Sequence, residues 1–174
     1  LGETLRQALR PSVIESIIDL AFLAERDQGL EIRGADQGDF SCSSASSAGD
    51  VDGDDKPDLL IGAPGADGGS RDDDSGEAYV VSGEALAQAL SSDGVIELAS
   101  LTDDKGGLVI TGSSDMFGSF SGTGSSVAAI GDVDGDDRAD LVIASDDPSR
   151  SEFSTAFVVF GRSFGGPTLA RTLS

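Results

Sequence analysis

The sequence has no histidine, no tryptophan and a single cysteine, Cys42. Without histidine, the chain lacks the commonest general base and the commonest ligand for transition metals. One cysteine cannot form an internal disulfide, and in a serine-rich segment we interpret it as a small core residue. Aromatic residues make up only 5% of the chain, so its core must consist of valine, isoleucine, leucine and alanine.

Long apolar segments and basic residues are also scarce. No apolar run approaches the roughly 18 residues that a membrane-spanning helix needs, and no signal-peptide pattern precedes the first unit. The formal net charge is −21, with 32 acidic and 11 basic residues. Such a surface repels nucleic acids and attracts cations, although a solvated acidic surface explains part of the excess. We predict an extracellular or periplasmic protein whose signal peptide is not in this sequence.

Several segments occur twice, in the same order. The pairs are 17–23 with 95–101, 29–34 with 107–112, 49–62 with 131–144, and 79–83 with 157–161. In the third pair, ten of fourteen residues are identical. This pattern indicates a tandem repeat of roughly 80 residues. We predict a first unit over 1–82, a second over 83–161, and the start of a further unit or a C-terminal tail over 162–174.

Each unit contains four segments with strand character. They are 30–33, 42–48, 58–62 and 78–81 in the first unit, and 108–111, 125–130, 140–144 and 156–160 in the second. The last two in each unit are continuous apolar runs, which is typical of strands buried on both faces. Glycine, serine, aspartate and proline separate the segments, as turns require. We predict an all-β fold of two four-stranded antiparallel propeller blades, a partial β-propeller.

For two stretches, the sequence does not decide between a helix and a strand. Residues 12–26 begin with a helix-capping pattern, but 17–23 align with 95–101, where a short strand fits better. A brief helix over 5–9, mirrored by 86–90, is also compatible with the pattern.

Two nine-residue aspartate loops carry the candidate chemistry. Each has carboxylates at positions 1, 3, 5 and 9, a glycine at position 4 and a basic residue at position 7. The candidate ligands are Asp50, Asp52, Asp54, Lys56 and Asp58 in loop one (50–58), and Asp132, Asp134, Asp136, Arg138 and Asp140 in loop two (132–140). Position 7 can supply its backbone carbonyl while its side chain stays in solvent. Such oxygen sets suit Ca²⁺ better than Mg²⁺ or Zn²⁺, so we predict two Ca²⁺ sites.

An EF-hand does not fit these loops. That motif needs glycine at position 6 and glutamate at position 12, between helices. Here position 6 is Asp55 or Asp137, and position 12 is Ile61 or Ile143 inside a predicted strand. A solvated acidic turn is the remaining alternative, and the presence of two copies at matching repeat positions argues against it.

At these loops the sequence resembles FG-GAP repeats, the units of the integrin α-chain propeller and of many bacterial secreted proteins. The letters GAP stand at 62–64, after the third strand of the first copy, and FG stands at 117–118 in the second. The resemblance implies four-stranded blades with Ca²⁺ held in the loop between adjacent strands by the residues named above. The chain departs from it at 39–42 and 144–146, and it offers two blades where family propellers have about seven.

The leading functional prediction is a non-enzymatic calcium-binding structural or adhesion module within a larger secreted β-propeller array. Its partners would be other protein chains or further blades, reached through face loops such as 65–76. One alternative is an accessory subunit that docks onto other chains of a larger complex. Another is a non-catalytic repeat region of a secreted hydrolase. Catalysis and a small-molecule substrate are disfavoured, because no nucleophile or base motif stands apart from the clustered aspartates.

Overall fold

The computed structural model of the chain describes residues 20, 29–67, 75–101, 106–112, 122–146 and 155–161. This part is mostly β-structure, with one α-helix among the named elements. In chain order they are β1 (Glu31–Arg33), β2 (Ser44–Gly49), β3 (Asp58–Ala63), β4 (Glu77–Val81), α1 (Gly83–Leu90), β5 (Val95–Glu97), a 3₁₀ helix (Leu98–Ser100), β6 (Gly107–Thr111), β7 (Thr123–Gly131), β8 (Asp140–Ser145) and β9 (Thr155–Val159).

The strands form two antiparallel sheets and one small parallel pair. The first sheet has the order β2-β3-β4-β6, and the second has the order β7-β8-β9. β1 pairs in parallel with β5. Short loops join β2 to β3 and β7 to β8, so the two aspartate loops occupy equivalent corners of the two sheets. Antiparallel sheets of this kind are consistent with FG-GAP propeller blades.

All eight predicted strand segments are strands, but their grouping into sheets differs from the prediction. The segment 108–111, assigned to the second unit, lies in β6 and pairs with β4 of the first sheet. Its counterpart β1 pairs with β5 and joins neither large sheet. Apolar patterning locates a strand but does not specify its hydrogen-bond partner. The described residues therefore contain one four-stranded, one three-stranded and one two-stranded sheet. The unit boundaries remain a prediction about the sequence repeat.

The two large sheets pack face to face through an aliphatic core. The first sheet contributes Leu60, Val80 and Ile110, and the second contributes Leu141 and Ile143, all of them buried. These positions alternate along each strand, as the pleat requires. This packing places the β2–β3 corner of the first sheet next to the β7–β8 corner of the second.

The outer face of the second sheet carries the repeat counterparts of residues that are buried in the first sheet. Val80 is 3% exposed beneath the second sheet, whereas its counterpart Val158 is 50% exposed. Ala48 is 0% exposed, whereas its counterpart Ile130 is 39% exposed. The second sheet therefore presents an apolar face of the type that, one repeat earlier, is covered by another sheet.

A layer made of α1, β5 and the 3₁₀ helix covers the opposite face of the first sheet. Its core includes Ala89, Ile96 and Leu98, packed on Ile61 and Tyr79 of the sheet. The Ser82 hydroxyl accepts a hydrogen bond from the Ala85 amide (3.2 Å), which caps α1. The helix predicted over 86–90 is confirmed, whereas the strand predicted within 95–101 is limited to 95–97 and is followed by the 3₁₀ helix. Segments 5–9 and 12–26 fall outside the described residues except for Leu20.

Two further points concern single features. Cys42 is exposed and has a φ of +67°, so it lies in a turn before β2, and its interpretation as a core residue is wrong. No helix in the part of the chain that the structure describes has the length and hydropathy of a membrane span.

Candidate metal centre

Loop one is held in shape by the carboxylate of its first residue. Asp50 Oδ1 accepts hydrogen bonds from the Gly53 amide (2.7 Å) and the Asp54 amide (3.1 Å), and Oδ2 accepts one from the Asp55 amide (2.8 Å). Gly53 and Asp55 adopt left-handed φ angles of +84° and +64°. Glycine and aspartate are among the residues that tolerate this region, so the sequence allows the tight turn.

Loop two has nearly the same geometry. Asp132 accepts from the amides of Gly135 (2.7 Å), Asp136 (3.1 Å) and Asp137 (2.9 Å). Gly135 and Asp137 have φ angles of +81° and +66°. The repeat in the sequence thus corresponds to a repeat in backbone conformation, with the first carboxylate turned inward in both loops.

The last aspartate of each loop is buried and ties the loop to the end of the sheet. Asp58 is 3% exposed, and its two oxygens accept from the Val51 amide (2.9 Å) and the Gly83 amide (2.8 Å). Asp140 is 0% exposed and accepts from the amides of Val133 (2.8 Å) and Gly161 (2.9 Å). Each of these carboxylates therefore hydrogen-bonds its own loop to the glycine that follows β4 or β9.

Each loop gathers three carboxylates. In loop one, ligand atoms of Asp50, Asp52 and Asp58 all lie within 4.8 Å of one another. In loop two, those of Asp132, Asp134 and Asp136 do so. Clustered carboxylate oxygens are the donors that a hard cation such as Ca²⁺ prefers, and the described loops place no nitrogen or sulfur ligand beside them. The donor set therefore fits Ca²⁺ chemically.

The candidate ligands left out of these groups have other partners. The Lys56 ammonium forms ion pairs with Asp54 (3.1 Å) and with Glu84 in the first turn of α1. Asp54 also accepts from the Lys56 amide (2.8 Å). The Lys56 side chain, which is 44% exposed, bridges the loop to the helix through these surface ion pairs. The ligand roles of the Lys56 and Arg138 carbonyls remain predictions.

The carboxylates of the two loops differ in acidity. Burial, followed by the charge of Asp54, raises the pKa of Asp52, and burial also raises the pKa of Asp58. Burial acts in the same direction on Asp132, but hydrogen bonds from the amides of Asp137, Gly135 and Asp136 lower its pKa below the ordinary value. Protons therefore compete for Asp52 and Asp58 more strongly than for Asp132, whereas in the same loop the hydrogen bond from the Lys56 amide lowers the pKa of Asp54.

Two features of the site were not found from the sequence. Gly83 and Gly161 each donate an amide hydrogen bond to the last loop aspartate across more than twenty residues. A Cβ on Gly83 would lie 2.8 Å from the Pro57 carbonyl oxygen, and one on Gly161 would lie 2.6 Å from that of Ala139. The available signal was the glycine that follows the Val-Val strand in both repeats.

Comparison with protein families gives one match. The FG-GAP repeat model matches residues 43–81, which span β2, loop one, β3 and β4. The chain therefore carries an FG-GAP repeat over that segment, in agreement with the resemblance described above. No match was found among curated proteins. FG-GAP repeats are typically non-catalytic structural modules that commonly mediate protein interactions.

Proposed function

We propose that this chain is a calcium-binding, non-enzymatic interaction module that works outside the cell or in the periplasm. The observation that carries this proposal is the pair of carboxylate groups at equivalent corners of two stacked sheets. Five aspartates in one tight loop repel each other, so a divalent cation would stabilise the turn and the strands that it joins. Binding to the folded state alone would add about 2.7 kcal/mol per site at a hundred times Kd.

The interaction part of the proposal is supported by the outer face of the second sheet. Its exposed Ile130 and Val158 stand where the first sheet buries Ala48 and Val80. We propose that other protein chains or further blades of a larger array supply the cover for this face. The strong negative charge would keep such a module soluble and would steer cationic partners.

Calcium titration of the full chain, followed by NMR, tests the proposal at each loop separately. The Gly53 and Gly135 amides donate to the first carboxylate of their own loops at 2.7 Å, so they are matched reporters. We expect both signals to shift and saturate with calcium, and calorimetry to give two ions per chain. If neither amide responds to calcium, both loops are acidic turns and the calcium proposal fails.

Asp52→Asn should weaken calcium binding at loop one about tenfold and leave loop two unchanged, because it removes one charge from a three-carboxylate group. The matched variant Asp134→Asn should have the reverse selectivity. Both are read from the Gly53 and Gly135 signals in the same titration. Equal weakening at both loops in either variant would indicate a loss of folding and not of a ligand.

Loop one should release calcium at a higher pH than loop two during acidification. The pKa values of Asp52 and Asp58 are raised, so protons occupy them at a pH where an ordinary aspartate, with a pKa of about 3.9, is still ionised. The pKa of Asp132 is lowered, so its protonation requires a lower pH than usual. The Gly53 and Gly135 signals, followed at fixed calcium concentration while the pH falls, give the order directly. Earlier release from loop two would contradict the prediction.

A further inference from the structure

The two aspartate loops are in direct contact, although they belong to different sheets. The Ala139 amide of loop two donates a hydrogen bond to the Asp50 carbonyl of loop one, at 2.7 Å. A Cβ on Gly49 would lie 2.7 Å from the Ala139 Cβ, so the two backbones approach closely at this point. The first residue of loop one is thus hydrogen-bonded to the neighbouring repeat as well as to its own loop.

The side chain of Arg138 extends this contact to Gly53 in loop one. A Cβ on Gly53 would lie 3.1 Å from Arg138 Nε and 3.2 Å from Nη2, so the guanidinium packs on the turn of loop one. The Arg138 amide meanwhile donates to Asp136 Oδ1 (3.1 Å) within loop two. One residue belongs to loop two through its backbone and contacts loop one through its side chain.

The charge of Arg138 lies beside the loop-one carboxylates. Asp52 belongs to the three-carboxylate group of loop one and adjoins Gly53, against which Arg138 packs. A fixed positive charge at this place stabilises clustered carboxylates in the absence of metal and repels an incoming divalent cation.

We infer that Arg138 is an internal cation of the loop-one site, supplied by the next repeat: it stabilises the metal-free loop and weakens calcium binding there. The metal part of this inference rests on the proposed calcium function, whereas the stabilisation of the metal-free loop does not. The two loops are in this way joined through Arg138 and the Ala139–Asp50 hydrogen bond.

Arg138→Gln in the full chain tests the inference with two readouts. Without calcium, amide hydrogen exchange at Gly53 should become about threefold faster, because the packing and charge over the turn are lost. With calcium, the affinity reported by Gly53 should rise about fivefold, because a like charge near the ion is removed. The affinity reported by Gly135 should change less than that reported by Gly53, because the guanidinium packs on loop one while Arg138 belongs to loop two through its backbone.

Two control variants separate the local charge from other effects. Arg33→Gln removes the same charge from an exposed ion pair with Glu31 and Glu97, in β1 and β5, and should leave both loops unchanged. Arg138→Lys retains the charge, so its calcium affinity at loop one should stay within twofold of the parent chain. It also provides a measurement if the glutamine variant fails to fold.

The inference is overturned if Arg138→Gln leaves both Gly53 exchange and loop-one affinity unchanged, or if it weakens calcium binding there. It is also overturned if Arg33→Gln has the same effect, since the cause would then be net charge alone. Absence of calcium binding in the parent chain would refute the proposed function separately. The exchange rate at Gly53 without calcium would then still decide whether Arg138 stabilises loop one.

Discussion

Replacing Gly62 with alanine should lower the free energy of unfolding by about 3 kcal/mol, because the new methyl group has no space between the two sheets. A Cβ at this position would overlap the Gly124 carbonyl oxygen of β7 and the Ser44 hydroxyl of β2. The Ser44 hydroxyl donates a hydrogen bond to that same carbonyl at 2.9 Å, so neither atom can withdraw without losing a bond. Urea or guanidinium denaturation, without calcium, measures the change.

Ala144 is the matched control, because it holds the equivalent place in β8 of the second sheet. The corresponding face of that sheet is not covered by another of the described sheets, so alanine has room where Gly62 has none. Ala144→Gly should cost no more than about 1 kcal/mol, the usual penalty for glycine in a strand. If Gly62→Ala costs less than Ala144→Gly, the sheets do not pack as described.

The positions of the strands were predictable because two signals agreed. Alternation or continuity of apolar residues marked each strand, and the tandem repeat marked it a second time. The helical turn at 86–90 was recognised, and it lies in α1. The pattern of apolar residues could not predict that β6 pairs with β4. The hydrogen-bond partner of a strand depends on which strand edges the complete fold leaves open. The packing of α1, β5 and the 3₁₀ helix as a layer on the first sheet was missed for the same reason.

The candidate site was predictable in composition but not in detail. Spacing of the aspartates identified both loops, and the structure brings three carboxylates of each together. Spacing could not reveal that Asp58 is bonded to Gly83, or that Arg138 packs on Gly53, because both contacts join residues far apart in the chain. Side chains of lysine and arginine reach far enough to select distant partners, so a local pattern does not fix their environment.

Truncating Asp58 should have an effect as large as the change at Gly62, even without metal. Asp58→Ala leaves the buried amides of Val51 and Gly83 without an acceptor, which we expect to cost about 3 kcal/mol in unfolding free energy. Relief of repulsion from Asp50 and Asp52 offsets only part of this loss, because those carboxylates reach solvent. Denaturation in the presence of a chelator measures the structural contribution alone.

The corresponding change in the second repeat, Asp140→Ala, should cost less than Asp58→Ala. Asp140 also bonds two amides, but the hydrogen bond from Val133 is only partly buried, so water can replace the lost acceptor there. Asp67, which is exposed, provides the control, and Asp67→Ala should change stability by less than about 0.5 kcal/mol. If Asp58→Ala proves neutral in chelator yet abolishes the calcium response of Gly53, Asp58 acts as a metal ligand alone. A large loss of stability in chelator instead means that Asp58 stabilises the end of the sheet without metal. Calcium would then bind to a turn that is already formed.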